Sequence, residues 1–224
     1  MWKHVELVGT IRIVSYIYNG GYRVNSRKVV FLFWSTLLVG SITGGIVGSI
    51  LNSDRLLGGG FANFFWGAVW AIGISAAFSL ISQMGFFAYL TLHRFGLGIF
   101  KSVRLWNRIQ MVVIAFVVFD LFYLRYAAFA EAGESIWSYM VTPVLLLIYG
   151  LVIAAIKAKD TNRQAFIPAL FFIVVVTTIE WVPALTANDP KWLWIYFTPL
   201  LAANTWQLLI LHRLTGSGKQ EAKK

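Results

Sequence analysis

Two acidic side chains stand inside long apolar runs of this chain, Asp120 in residues 105–129 and Glu180 in residues 165–185, and Arg125 follows shortly after the first. A carboxylate near the middle of a membrane helix costs about 2.5–3.5 kcal/mol on insertion scales, so such residues tend to mark proton relays, ligand sites or ion pairs. Two readings of Asp120, Arg125 and Glu180 stand side by side. In one, the trio relays protons or binds a ligand. In the other it is structural: Arg125 neutralises an acid, or a protonated acid bonds to Tyr123 or Tyr126. A transport path needs polar groups along its whole depth. Gln83, Asn204 and Gln207 are the side chains that would supply some of them.

Other chemistries find no support. The chain has no cysteine, which excludes disulfides, thiol catalysis and thiolate metal sites. His4, His93 and His212 lie far apart and outside the apolar runs, and no His-Glu-x-x-His pair is present. Gly96-x-Gly98 lacks the third glycine and the preceding strand of a dinucleotide fingerprint. No serine sits in a Gly-x-Ser-x-Gly elbow. The expectation is therefore a chain that is not an enzyme and carries no metal or cofactor.

The elements that must position these residues are apolar and long. The composition is 58% hydrophobic and 12% charged, where soluble chains carry about 25% charged residues. Six runs of spanning length follow one another: 29–51, 61–92, 105–129, 136–156, 165–185 and 192–211. They predict an all-α, polytopic membrane protein with six transmembrane helices, in contact with membrane lipids. The membrane domain covers residues 29–211, between a basic N-terminal segment (1–28) and a basic tail (212–224). Gly40, Gly44 and Gly48 form a stripe at spacing four, and Gly67, Ala71, Ser75 and Ser79 form a second. Smooth faces of this kind let helix backbones approach closely. The stripes either pack on each other or meet the helices of a partner.

Lys and Arg set the orientation. Sixteen of nineteen fall in four alternate segments: Lys3, Arg12, Arg23, Arg27 and Lys28; Arg94, Lys101, Arg104 and Arg108; Lys157, Lys159 and Arg163; Arg213, Lys219, Lys223 and Lys224. The opposite segments hold only Arg55, Arg125 and Lys191. Basic loops stay on the cytoplasmic side, so both termini are predicted to be cytoplasmic and the protein to reside in the cell membrane. The net charge of +10 is thereby assigned to the inner membrane surface and not to nucleic acid.

Residues 93–108 read as a tight turn between two spans. Phe100, Val103 and Trp106 recur at helical spacing, with Lys101, Arg104 and Arg108 on another face. That pattern fits a short amphipathic helix on the inner surface or an ordinary basic loop. His93, Arg94, Phe100, Lys101, Arg104, Trp106 and Arg108 are the candidate contacts for another membrane protein.

The stretch Ile81-Ser-Gln-Met-Gly-Phe-Phe-Ala-Tyr-Leu-Thr-Leu-His-Arg-Phe-Gly-Leu-Gly-Ile-Phe, with Leu105-Trp-Asn and Phe119-Asp-Leu-Phe-Tyr-Leu-Arg-Tyr126, resembles the KinB-signalling pathway activation family, KbaA. These are small multi-pass membrane proteins of spore-forming bacilli. The resemblance runs from about Val24 to the tail and is densest over residues 81–134. It implies activation of the membrane sensor histidine kinase KinB, which feeds the phosphorelay that starts sporulation. It brings no active-site residues. The competing reading is a small transporter or ligand-sensing protein built on Asp120, Arg125 and Glu180. Residues 1–23 precede the resemblance. Gly20-Gly21 can be encoded as a ribosome-binding sequence and Val24 as a GTG start, so translation is expected to begin at Val24. A peripheral tail is the other reading.

Overall fold

The computed structural model describes residues 26–131 and 133–215, so the expectations for residues 1–23 and for the tail beyond Thr215 lie outside the described residues. The chain divides into two units, residues 1–31 and 32–224. Of the first, the described part is residues 26–31, the opening of helix α1.

Every described element is helical. α1 is Ser26–Leu51, α2 Ser53–Gly58, α3 Gly60–Phe100, α4 Val103–Phe129 and α5 Ile136–Asp160. α6 is Arg163–Ala187. α7 is Pro190–Thr215. Local sequence explains the boundaries. Ser102 accepts from the Leu105 N–H at 3.3 Å and starts α4. Asn162 does the same for Ala165 at 3.1 Å, and Asp189 for Trp192 at 2.7 Å. Asn188 closes α6 in the left-handed region with φ 48°, a conformation asparagine tolerates well. Pro190, which has no N–H to leave unpaired, opens α7.

Five helices, α1 and α3 to α6, are long and apolar enough to cross a membrane. α7 is as long as α1 but is not among them. Asn204 and Gln207 make it more polar, and both are fully buried.

Packing of residues 32–215 is inside-out relative to a water-soluble protein. Trp34, Leu38, Ile42, Ile46 and Ile50 form an exposed apolar stripe on α1. Val112, Phe116 and Phe119 do so on α4, and Trp137, Val141, Leu145, Ile148 and Val152 on α5. Meanwhile Thr36, Ser75, Ser79, Ser82, Gln110, Thr177, Asn204 and Gln207 have no exposed surface. Soluble monomers rarely leave apolar patches beyond a few hundred Å². This surface is compatible with membrane insertion.

The two small-residue stripes meet each other in antiparallel register. A Cβ built on Gly40 would fall 2.6 Å from Ser79 Cβ. One on Gly44 would fall 2.7 Å from Ser75 Cβ, and one on Gly48 3.3 Å from Ala71 Cβ. Ser79 Oγ donates to the Thr36 carbonyl at 3.0 Å. Gly67 lies one turn before Ala71 and is partly buried. The paired positions of the stripes are therefore occupied within the chain, and the reading that offered them to a partner's helices is corrected.

α6 and α7 supply most of the fully enclosed side chains, and α3 packs along α7. α6 is not uniform, because residues Phe172–Val176 widen into a π-helical turn. Pro168 lies just before it, and its carbonyl accepts from the Phe172 N–H and from Tyr89 Oη at 2.8 Å. Wide turns of this sort recur beside functional residues.

The expected turn at residues 93–108 is also corrected. α3 runs on through Gly96 and Gly98 to Phe100, and the turn proper is Lys101–Ser102, with Lys101 at φ 50°. At about 1.5 Å per residue α3 is roughly 60 Å long, about twice a hydrocarbon core. Trp106 does not face lipid, being 6% exposed. Its indole fills the space that Gly96 leaves, where a Cβ would fall 2.6 Å from the ring.

Candidate functional site

Three helices each offer two positions one turn apart, and five side chains and one glycine converge. α3 contributes Ser82 and Gly85. α6 contributes Thr177 and Glu180, directly after the π turn. α7 contributes Asn204 and Gln207. Positions three apart share a helix face, which is why pairs converge and not single residues. Gln207 Nε2 donates to Ser82 Oγ at 2.8 Å, and Ser82 Oγ donates to Asn204 Oδ1 at 2.8 Å. Asn204 Nδ2 then donates to Glu180 Oε2 at 2.7 Å and to Thr177 Oγ1 at 2.9 Å. The donors run one way, towards the carboxyl group of Glu180. A chain of this polarity makes Glu180 Oε2 its terminal acceptor.

The other carboxyl oxygen is treated differently. Glu180 Oε1 is buried without a hydrogen-bond partner among the described residues, as are Gln207 Oε1 and Gln83 Nε2. Oε1 lies where a side chain on Gly85 would have to begin. Gly85 thus makes room for the acid on the facing helix. What the arrangement can do is hold a proton or present a buried acceptor; it contains no nucleophile paired with a base.

The trio of Asp120, Arg125 and Glu180 does not assemble. Arg125 Nη2 donates to Asn188 Oδ1 at 3.1 Å, and its guanidinium lies 5.8 Å from the Tyr139 ring centroid. Tyr139 Oη donates to Glu134 Oε2 at 2.7 Å, with the Phe129 carbonyl 3.2 Å away. The Tyr139 hydroxyl, and after it the Glu131 N–H, hold the Glu134 carboxyl below its usual range. Asp120 is partly buried on α4 and bonds to neither Tyr123 nor Tyr126. Tyr123 stacks on Phe119, and Tyr126 meets Tyr139 edge-on. The expected salt bridge is replaced by a contact between Arg125 and the loop that joins α6 to α7.

At the Lys101–Ser102 turn, Trp106 Nε1 donates to His93 Nδ1 at 3.0 Å and Phe100 stacks on Trp106 with centroids 5.7 Å apart. His93, Phe100 and Trp106 therefore fix the turn's shape. Arg94, Lys101, Arg104 and Arg108 are exposed around it. Lys157 departs from the loop role given by its charge. It is 6% exposed and donates to the Leu208 carbonyl at 2.6 Å, tying α5 to α7.

Sequence reasoning named Glu180, Asn204, Gln207 and Arg125 but not their partners Ser82, Gly85, Thr177, Tyr139 and Asn188. Small polar residues are common in membrane helices, and only the spacing of three shared by three segments marked these. No linear signal links Arg125 to Asn188.

Apolar helices of membrane length around a buried polar network define the class, an all-α protein compatible with a lipid surrounding. The family model for KinB-signalling pathway activation in sporulation, KbaA, matches residues 40–214. The KinB-signaling pathway activation protein of Bacillus subtilis (strain 168) is 45% identical over 193 residues, covering 84% of this chain and 97% of that protein. The chain belongs to the KbaA family. No solved structure matches it.

Proposed function

We propose that this chain is an integral membrane regulator that activates a KinB-type sensor histidine kinase on the way to sporulation and catalyses no reaction itself. The observation that carries this reading is the family match across residues 40–214 together with the 45% identical relative named for KinB-pathway activation. Support for the membrane setting comes from the exposed apolar stripes and the buried polar ones. α7 counts as a sixth span because its mid-helix amides, Asn204 and Gln207, are buried against protein and do not meet lipid. Six spans keep the basic segments on one side, with both termini cytoplasmic. Lipids cover the apolar faces, and the positive charge serves the inner leaflet and the kinase. Nucleic acid has no part.

The kinase is contacted at the Lys101–Ser102 turn, where four exposed cations surround a fixed aromatic core. The exposed apolar faces of the helices provide the contact within the membrane. A second reading, ligand or ion sensing, is favoured by one observation: the buried Glu180 with a one-way donor chain and an unpartnered oxygen. Glu180→Gln and Asp120→Asn separate the two. Signalling that persists in both folded, inserted variants removes the sensing role of these acids. The function itself is tested by expressing this chain in a Bacillus subtilis strain lacking its relative. Restored sporulation that depends on KinB is expected, and no restoration from a stably inserted chain would refute the pathway role.

A further inference from the structure

The end of α4 opposite the Lys101–Ser102 turn carries a cleft that the kinase contact does not use. Its volume is about 340 Å³, inside the range of roughly 300–1,000 Å³ of small-molecule sites. Its lining brings together one cation, one anion and an aromatic wall.

The cation is Arg125. Asn188 Oδ1 holds its Nη2 at 3.1 Å and the Tyr139 ring lies beside it. Its Nε–H is buried and finds no acceptor among the described residues. The side chain as a whole is only partly buried and lines the cleft, so an arriving carboxylate would meet the guanidinium there with a charge-assisted bond. The anion is Glu134, fully exposed at the mouth and oriented by the Tyr139 hydroxyl at 2.7 Å. Trp181, buried, and Trp194, partly covered, complete the lining with Leu193 and Pro190. Opposite charges flanking an aromatic surface complement a zwitterion that bears an apolar group.

We propose that this cleft binds an amino-acid-sized zwitterion, with its carboxylate on Arg125, its ammonium towards Glu134 and its side chain against Trp181 and Trp194. This goes beyond the ligand-sensing reading built on Glu180, since the cleft is a separate site, and shares with it only the consequence that a bound ligand reaches the kinase. It moves the ligand from the acids at Asp120 and Glu180 to the far ends of α4 to α7. The turn that meets the kinase and the cleft that meets the ligand then lie at opposite ends of α4.

The test titrates the purified full-length chain in detergent micelles with L-phenylalanine and L-leucine and follows thermal unfolding. L-phenylalanine methyl ester, without a carboxylate, and N-acetyl-L-phenylalanine, without an ammonium, are the controls. A saturable rise in midpoint is expected with the free amino acid, and binding of the ester weaker by about tenfold or more. Arg125→Gln is expected to erase the preference for acid over ester. Glu134→Gln, at an exposed position, is expected to keep that preference and erase the preference for the free over the acetylated amine. No saturable shift with either amino acid, or equal shifts with acid and ester, would overturn the proposal. Binding is read without the kinase, so its absence removes the cleft and leaves the pathway role, scored by sporulation, standing.

Discussion

Asp120 and Glu180 look alike as letters in apolar runs, yet their surroundings differ. Glu180 ends a chain of donors and presses one oxygen against Gly85, while Asp120 is partly exposed. The contact with Gly85 makes a quantitative expectation. Gly85→Ala should destabilise the protein by about 1–3 kcal/mol, the usual cost of overpacking a tight contact. Gly85→Ala combined with Glu180→Ala should lose less than the sum of the two, because the second change removes the group that the new methyl meets. Thermal unfolding of the four chains in detergent measures the coupling, and strict additivity would mean that the two residues do not touch. Sequence alone could pick out Glu180 as costly in a membrane. It could not say that Gly85, a glycine among many, is there to accommodate it.

Among the elements, the stripes on α1 and α3 were readable because a period of four survives in linear sequence and small residues have one obvious use in helix contacts. Their partner was not readable, since a smooth face fits a kinase helix as well as a neighbour in the same chain. The close approaches of Gly40, Gly44 and Gly48 decide for the neighbour. Gly44→Leu is therefore expected to destabilise by more than about 1 kcal/mol, because its first side-chain atoms collide with Ser75 and Pro199. Gly73, with nothing within 4 Å of an added Cβ, is the control. Gly73→Ala should be neutral or stabilise by up to about 1 kcal/mol, as expected for glycine in a helix interior. Equal losses from both would contradict the α1–α3 interface. The turn misled sequence reading for the opposite reason. Gly96 and Gly98 look like breakers, but α3 continues through them, and Gly96 serves the indole of Trp106. The π turn in α6 left no trace in hydropathy at all.

At the scale of the whole molecule, charge distribution and helix length both bear on topology. Five helices qualify by length and composition, and the sixth span proposed above, α7, rests on the burial of Asn204 and Gln207. The chain has no cysteine, so single cysteines report cleanly. Ser102→Cys should react with an impermeant maleimide only from the cytoplasmic side, and Lys191→Cys only from the outside. A cysteine at Lys219 should again be cytoplasmic. Labelling of Lys219→Cys from outside intact cells would reduce the spans to five and separate the tail from the turn. Direct contact with the kinase is tested most closely by placing a photo-crosslinking amino acid at Arg104, beside the turn, in the full-length protein in sporulating cells. The expected result is capture of the kinase from native membranes at the stage when its pathway becomes active, and loss of that capture when Lys101, Arg94 and Arg108 are reversed to acidic residues. Normal kinase-dependent sporulation with no kinase captured from this position would contradict contact through the turn.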